Sequence, residues 1–231
     1  MPGLTDSAAG GRDVAGDAVE RAQRAWQESM LRQLETLRAS LRQQAPQEIA
    51  DRSGSSFESG KILLSYWGSQ VGLSWPELEA AKEGGEACST FDTGMLLYYL
   101  HTADGSPLDD RWVSYRELPG GGFYNQAFQG YSGDRIAQAF ALDLDAFHKA
   151  SRKLQGWRLP ALADHAYAFQ PLPRIRLAVT LWPGDEDFAT RASVLFDAAC
   201  HHYMTIDGLA LLGSGIAGRL VRSASQTPTE S

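Results

Sequence analysis

A chain of 231 residues, 43% hydrophobic and 10% aromatic, has the composition of a globular protein and length enough for one sizeable core. A formal net charge of −7 argues against a nucleic-acid partner, which needs a basic face. Two cysteines cannot build a disulfide framework or a cluster site, and no apolar run approaches the ~18 residues of a membrane span. With no basic-then-apolar leader at the N-terminus, a cytoplasmic location is expected.

In chain order, residues 1–16 are Gly, Ala, Ser and Asp in loose order and read as a disordered tail. Residues 17–45 read as a helical arm. Val19, Ala22, Trp26, Met30, Leu34, Leu37 and Leu41 fall on one stripe, Glu20–Arg24 and Glu28–Arg32 support the polar face, and Pro46 closes it. The stripe suits docking on the chain's own domain, or a protein partner recruited through residues 17–45. Residues 46–222 form the domain proper. Ser53 to Ser74 reads as a small β-meander, with Lys61–Trp67 as its clearest strand between Glu58-Ser59-Gly60 and Gly68-Ser69 turns. The stretch from Trp75-Pro76 to Gly85 reads as loop or frayed helix, and Phe91 to His101 as a helix buried on most sides.

Trp112 to Asp134 concentrates aromatic and glycine residues. Trp112–Tyr115 alternates as a short strand. Pro119 then removes a backbone donor, and Gly120, Gly121 and Gly122 allow a tight turn whose amides could cradle an anion. No lysine follows in the manner of a phosphate loop. Phe123–Phe128 follows as an aromatic turn or short helix, and Ser132 is placed to cap a helix to Phe140. A helix over Asp143–Leu154 and a strand over His165–Phe169, broken by Pro171 and Pro173, come next. Arg174–Trp182 is the best-alternating strand. Asp185-Glu186-Asp187 forms a turn, Ala192–Phe196 another strand, and Thr205 caps a last helix from Ile206 to about Arg222. Residues 223–231 read as a second disordered tail. The fold class is α+β: one domain with a mixed or antiparallel sheet packed by helices.

Gly213-Ser214-Gly215-Ile216-Ala217-Gly218 matches the dinucleotide fingerprint in letters only. No strand precedes it and 13 residues follow it, so close helix packing explains the glycines better. Asp185, Asp197 and His202 follow two strands. If those strands pair, the three side chains are candidates to meet at one sheet end as metal ligands, or with Glu186 as general acid–base groups. The five histidines are candidate axial ligands to a haem or corrinoid, and none lies in a covalent haem motif.

Three strings, LLYYLHTADGSPLDDRWVSYRELPGGGFY, LPRIRLAVTLWPGDEDF and ASVLFDAACHHYMTIDGLALLG, resemble an uncharacterised prokaryotic family, domain of unknown function 3786, over about residues 30–220. The resemblance rests on a W-x-S-x-R-E-L-P-G-G block (Trp112 to Gly121), an L-W-x-G-D-E-x-F block (Leu181 to Phe188) and Phe196-Asp197 followed by His202-Tyr203. Relatives that carry an iron–sulfur module imply, by association, a role near corrinoid, haem or methyl-group metabolism. This chain lacks the cysteine cluster. The expected function is a non-catalytic cofactor- or small-molecule-binding protein, with a tetrapyrrole favoured. Its expected pocket comprises Trp112, Tyr115, Gly120, Gly121, Phe123, Tyr124 and Trp182, with His202 as ligand and Arg116 pairing an acidic group. The alternatives are a metal-dependent enzyme using the Asp/Glu/His residues, and an assembly module acting through the N-terminal helix.

Overall fold

The computed structural model describes residues 28–29 and 33–225, so the expected arm before residue 33 lies almost wholly outside the described residues. Helix α1 (Leu34–Arg42) buries Leu34, Leu37 and Leu41, and packs along α3 (Thr90–Thr102). This part of the stripe therefore docks on its own domain. Pro46, expected as a terminator, instead opens a second helix, α2 (Pro46–Ser53). Proline suits a first helical position, where its missing N–H would have had no partner and its φ is already helical. Gly54 at φ +67° ends α2 in the left-handed region.

The first sheet is an antiparallel meander of β1 (Ser56–Glu58), β2 (Lys61–Tyr66), β3 (Ser69–Ser74) and β4 (Ala80–Lys82). Two-residue hairpins join its first three strands. Ser59-Gly60 and Trp67-Gly68 both have positive φ at each position, the geometry that matches strand twist. Strand β4 lies in the stretch expected to be loop or frayed helix. Its alanines have little strand preference, and pairing with Val71–Leu73 decides the conformation. Helix α3 starts at a Ser89 cap, whose Oγ accepts the Asp92 N–H at 3.0 Å, and is buried on most sides as its sequence suggests.

The second sheet is antiparallel throughout, in the order β5 (Trp112–Ser114), β9 (Arg191–Asp197), β8 (Ile175–Trp182), β7 (Ala166–Leu172), β6 (Trp157–Arg158). Strand β7 continues past its expected end to Leu172. Pro171 sits in a register irregularity between Phe169 and Leu172, where a missing donor is tolerated. The sheets meet where the Trp67 N–H donates to the Pro171 carbonyl at 2.9 Å.

Helices α4 (Asn125–Tyr131), α5 (Gly133–Phe140) and α6 (Leu144–Lys153) surround α7 (Ile206–Ser225), with α5 also against β9. Asp143 caps α6 through the Ala146 N–H at 2.8 Å, and Thr205 Oγ1 accepts the Gly208 N–H at 3.3 Å. Ser132 does not cap α5; its hydroxyl donates back to the Phe128 carbonyl at 2.5 Å. The glycines of α7 serve packing. A Cβ at Gly213 would lie 2.5 Å from the Phe128 ring, and one at Gly215 3.3 Å from Trp67.

Substituting Gly213→Ala should therefore destabilise the fold by about 1–3 kcal/mol, the usual penalty of overpacking a tight contact. Gly130→Ala, in α4 with nothing within 4 Å of the added methyl, should be neutral or stabilise by up to about 1 kcal/mol. Urea unfolding of both variants checks the contrast; equal effects would refute close approach at Gly213.

Candidate functional site: a cleft between the two sheets

The aromatic stretch expected to line a pocket is mostly structural. Tyr115 is 2% exposed, stacks on Phe128 at 4.3 Å between ring centroids, and its hydroxyl donates to the Ile206 carbonyl at 3.4 Å. Burial raises its hydroxyl pKa. Gly120 has φ +82°, and a Cβ at Gly121 would lie 1.8 Å from the Tyr115 carbonyl oxygen, so the turn closes on its own backbone. The Gly121 N–H donates to Leu118 O at 2.9 Å and is not available to an anion. Phe123 is 93% exposed, and Tyr124 and Arg116 are also exposed. Trp112 pairs with Asp197 at one end of β9, while Trp182 pairs with Arg191 at the other. The expected aromatic pocket is thus divided between opposite ends of a strand.

The expected metal ligands separate for the same reason. Strands β8 and β9 pair as a hairpin with six partner pairs, and the acidic turn is the hairpin loop itself. Asp185 lies at its tip and Asp197 at the far end, roughly 20 Å away at ~3.4 Å per residue. The Asp185 carboxylate accepts the N–H groups of Asp187 and Phe188, holding the loop. Asp197, 1% exposed, accepts the N–H groups of Asp109 (3.1 Å), Asp110 (2.9 Å) and Ala199 (2.9 Å). His202 pairs with Asp104 at 2.7 Å. Partial burial opposes ionisation of Asp104, but the Ser106 N–H and His202 bring its pKa down to about 2. Among the described residues, no group of three or more His, Cys, Asp or Glu side chains is arranged to hold a metal ion.

Other histidines have local partners too. His201 Nδ1 lies 2.8 Å from Ala198 O. His148 bridges the Tyr167 hydroxyl (3.0 Å) and His165 (3.2 Å). Desolvation, then the charge of Arg158 and the neighbouring His165, lowers the His148 pKa.

A cleft of about 920 Å³ opens elsewhere, between β2 and β7. It is lined by the Gly54–Ser56 turn, by the Trp67-Gly68 hairpin, which meets Gln155, and by Trp157; Leu172, Ile216 and Phe169 are among its apolar residues. Such a volume is within the roughly 300–1,000 Å³ of small-molecule sites. Among the described residues, its charged lining consists of Lys153 and Arg219, both cations, in a protein of net charge −7. No His, Cys, Asp or Glu among the described residues lines it.

Helix α7 positions Arg219. Gly215 and Arg219 are four apart and share a face, so the Trp67 indole lies over both, with the guanidinium carbon 4.4 Å from the ring centroid. Arg219 is half-buried, and desolvation lowers its pKa without removing its charge at neutral pH. No carboxylate among the described residues forms an ion pair with it. Asp92, whose charge reaches it from a distance, accepts hydrogen bonds from Tyr66 (3.0 Å) and Ser89 (2.6 Å). Sequence reasoning missed this site. Its one signal is an arginine interrupting the small and apolar run Leu209–Leu220.

Residues 45–219 match a family described as a domain of unknown function, DUF3786. The chain belongs to the DUF3786 family. No curated protein and no solved structure matches it. In this DUF3786 chain the three resembling blocks build loops. Glu117 accepts the Ser114 N–H (2.8 Å) and hydroxyl (2.5 Å), forming the turn before the glycines. The Gly184 N–H donates to Thr190 Oγ1 at 2.9 Å in the β8–β9 loop. Asp197, His202 and the Tyr203 hydroxyl, which donates to Ser106 O, clamp residues 104–110 against the sheet.

The lowered His148 pKa sets a sign for pH dependence. As pH falls, the unfolded chain binds a proton at this position first, near about pH 6.5. His148 therefore contributes stability above about pH 6.5 that is lost as pH falls through its folded pKa. His148→Gln should flatten stability against pH between about 7 and about 5, measured by urea titration at each pH; an unchanged slope would contradict the placement of His148.

Proposed function

We propose that this DUF3786 protein is a non-catalytic binding protein for a small anionic cofactor or metabolite, held in the cleft between its two sheets. The observation that carries this is Arg219: half-buried, stacked on Trp67 and without an ion-pair partner among the described residues, in a cleft free of carboxylates. A desolvated guanidinium whose face is occupied keeps its edge N–H groups for a carboxylate, sulfonate or phosphate. The lack of His, Cys, Asp and Glu among the described residues that line the cleft favours binding over acid–base or thiol chemistry. A tetrapyrrole falls within this class through its carboxylates. Here its ring faces and acidic edge would hold it, because no His, Cys or Met among the described residues lines the cleft to serve as an axial ligand.

The test uses 8-anilinonaphthalene-1-sulfonate, an aromatic anion that fluoresces when removed from water. The folded full-length protein should bind it saturably at one site. Arg219→Gln should weaken binding about tenfold or more, which is about 1.4 kcal/mol. His202→Ala should leave it unchanged. Haemin, followed by its absorption, should show the same dependence on Arg219 and independence of His202. Equal binding by the parent protein and Arg219→Gln would remove the cleft as the site.

A further inference from the structure

We infer that the ligand of this cleft is a planar nitrogen heterocycle carrying a phosphate or carboxylate group, an assignment that rests on the cleft being the binding site. The aromatic residues gather at one end. A Cβ at Gly68 would lie 3.0 Å from Gln155 Oε1, and one at Gly156 would lie 2.6 Å from the Phe169 ring, so the Trp67-Gly68 tip meets the Gln155–Trp157 segment. Trp67, Trp157 and Phe169 therefore stand around the same end, supplying flat apolar faces. Trp67 and Gln155 both hold left-handed backbones, at φ +51° and +60°. The first is set by the β2–β3 hairpin turn and the second by the end of α6, so local turn geometry fixes the position of both residues at the cleft.

Faces alone would suit any flat apolar molecule. Side-chain amides narrow the choice. Gln70, Gln155 and Gln170 line the same cleft. Gln170 donates its amide to Pro173 O at 2.8 Å and keeps its carbonyl oxygen, while the amides of Gln70 and Gln155 bond to no other described residue. An amide presents donors and an acceptor in one plane, the complement of the edge of a ring with alternating N–H, N and C=O groups. The half-buried Ser65 hydroxyl adds a further polar contact on the β2 wall. Gln70, Gln155 and Gln170 are solvent-exposed, so an acyl-chain anion would leave their amides to water and use none of them, and a sugar phosphate would not use the rings. Arg219 and Lys153 supply the counter-charge for the acidic group.

The test titrates the full-length protein with flavin mononucleotide for the phosphate and folate for the carboxylate, with riboflavin as the uncharged control. Flavin fluorescence is quenched by indole stacking, so flavin mononucleotide should show saturable quenching at one site. Riboflavin should bind at least tenfold more weakly. Trp157→Leu, at a position 41% exposed, should keep its far-ultraviolet circular dichroism and thermal midpoint yet lose most quenching and weaken binding of both acidic ligands. Arg219→Gln should reduce flavin mononucleotide to the level of riboflavin. Saturable binding of the naphthalene sulfonate with no binding of flavin mononucleotide or folate would overturn the heterocycle assignment and leave the cleft standing. Failure of all three would overturn both. Binding of the heterocycles that neither substitution weakens would place them outside the cleft and also overturn the assignment.

Discussion

The closeness with which α7 approaches its neighbours governs the rest of this structure. Helix pairs with ordinary side chains sit 8–10 Å apart, and glycine is what permits less. Gly213 lets the Phe128 and Phe196 rings press onto the helix backbone, and Gly215, two residues on and so on the opposite side of the helix, lets the Trp67 indole do the same. One helix thereby holds the meander through Trp67 and the larger sheet through Phe196. Ile216 and Arg219 follow from the same placement, since the turn of α7 beneath Trp67 is also the turn that lines the cleft. The helix is buried nearly all round, which explains why its sequence has little amphipathic character and resembles a nucleotide motif in letters alone.

A second constraint is the buried carboxylate of Asp197. A carboxylate taken out of water must be compensated, and three backbone N–H groups do so here. Those donors come from both sides, Asp109 and Asp110 before β5 and Ala199 after β9, so one side chain ties the edge strand to its neighbour. The His202–Asp104 pair and the Tyr203–Ser106 bond extend this clamp along the same loop. The most distinctive residues of the sequence are thus turn-forming and loop-holding. Charged and aromatic residue types that look chemical in a list act here on backbone groups.

Much of the fold was legible in the sequence. The stripe ending in Leu34, Leu37 and Leu41, the buried helix around Met95–Leu100, the alternation of Ile175–Leu181 and the Thr205 cap each express a local period or a local hydrogen bond. Strand β4, the role of Pro46 and the course of β7 through Pro171 were not legible, because pairing partners distant in sequence decide them. The site was less legible still. Asp185, Asp197 and His202 looked convergent only while the direction of the β8–β9 pairing was unknown. An antiparallel hairpin sends the residue after the first strand and the residue ending the second to opposite ends. The cleft residues carry no spacing signal, since Gly54, Trp67, Gln155, Phe169 and Arg219 come from five separate elements.

Electrostatics explains why an unpaired arginine can serve in so acidic a protein. At physiological salt the field of distant carboxylates fades over about 8 Å, so the net charge of −7 acts weakly inside a cleft lined by none of those among the described residues. Within the cleft, partial exclusion of water strengthens the attraction between Arg219 and an anion beyond its value in bulk solvent. Burial without a partner disfavours the cation in the free protein, as the lowered Arg219 pKa reflects, and stacking on Trp67 offsets part of that penalty. An arriving anion relieves the remainder. A paired arginine would first have to break its existing bridge, so the lack of an ion-paired carboxylate on Arg219 among the described residues is what makes the cleft ready for an acidic ligand.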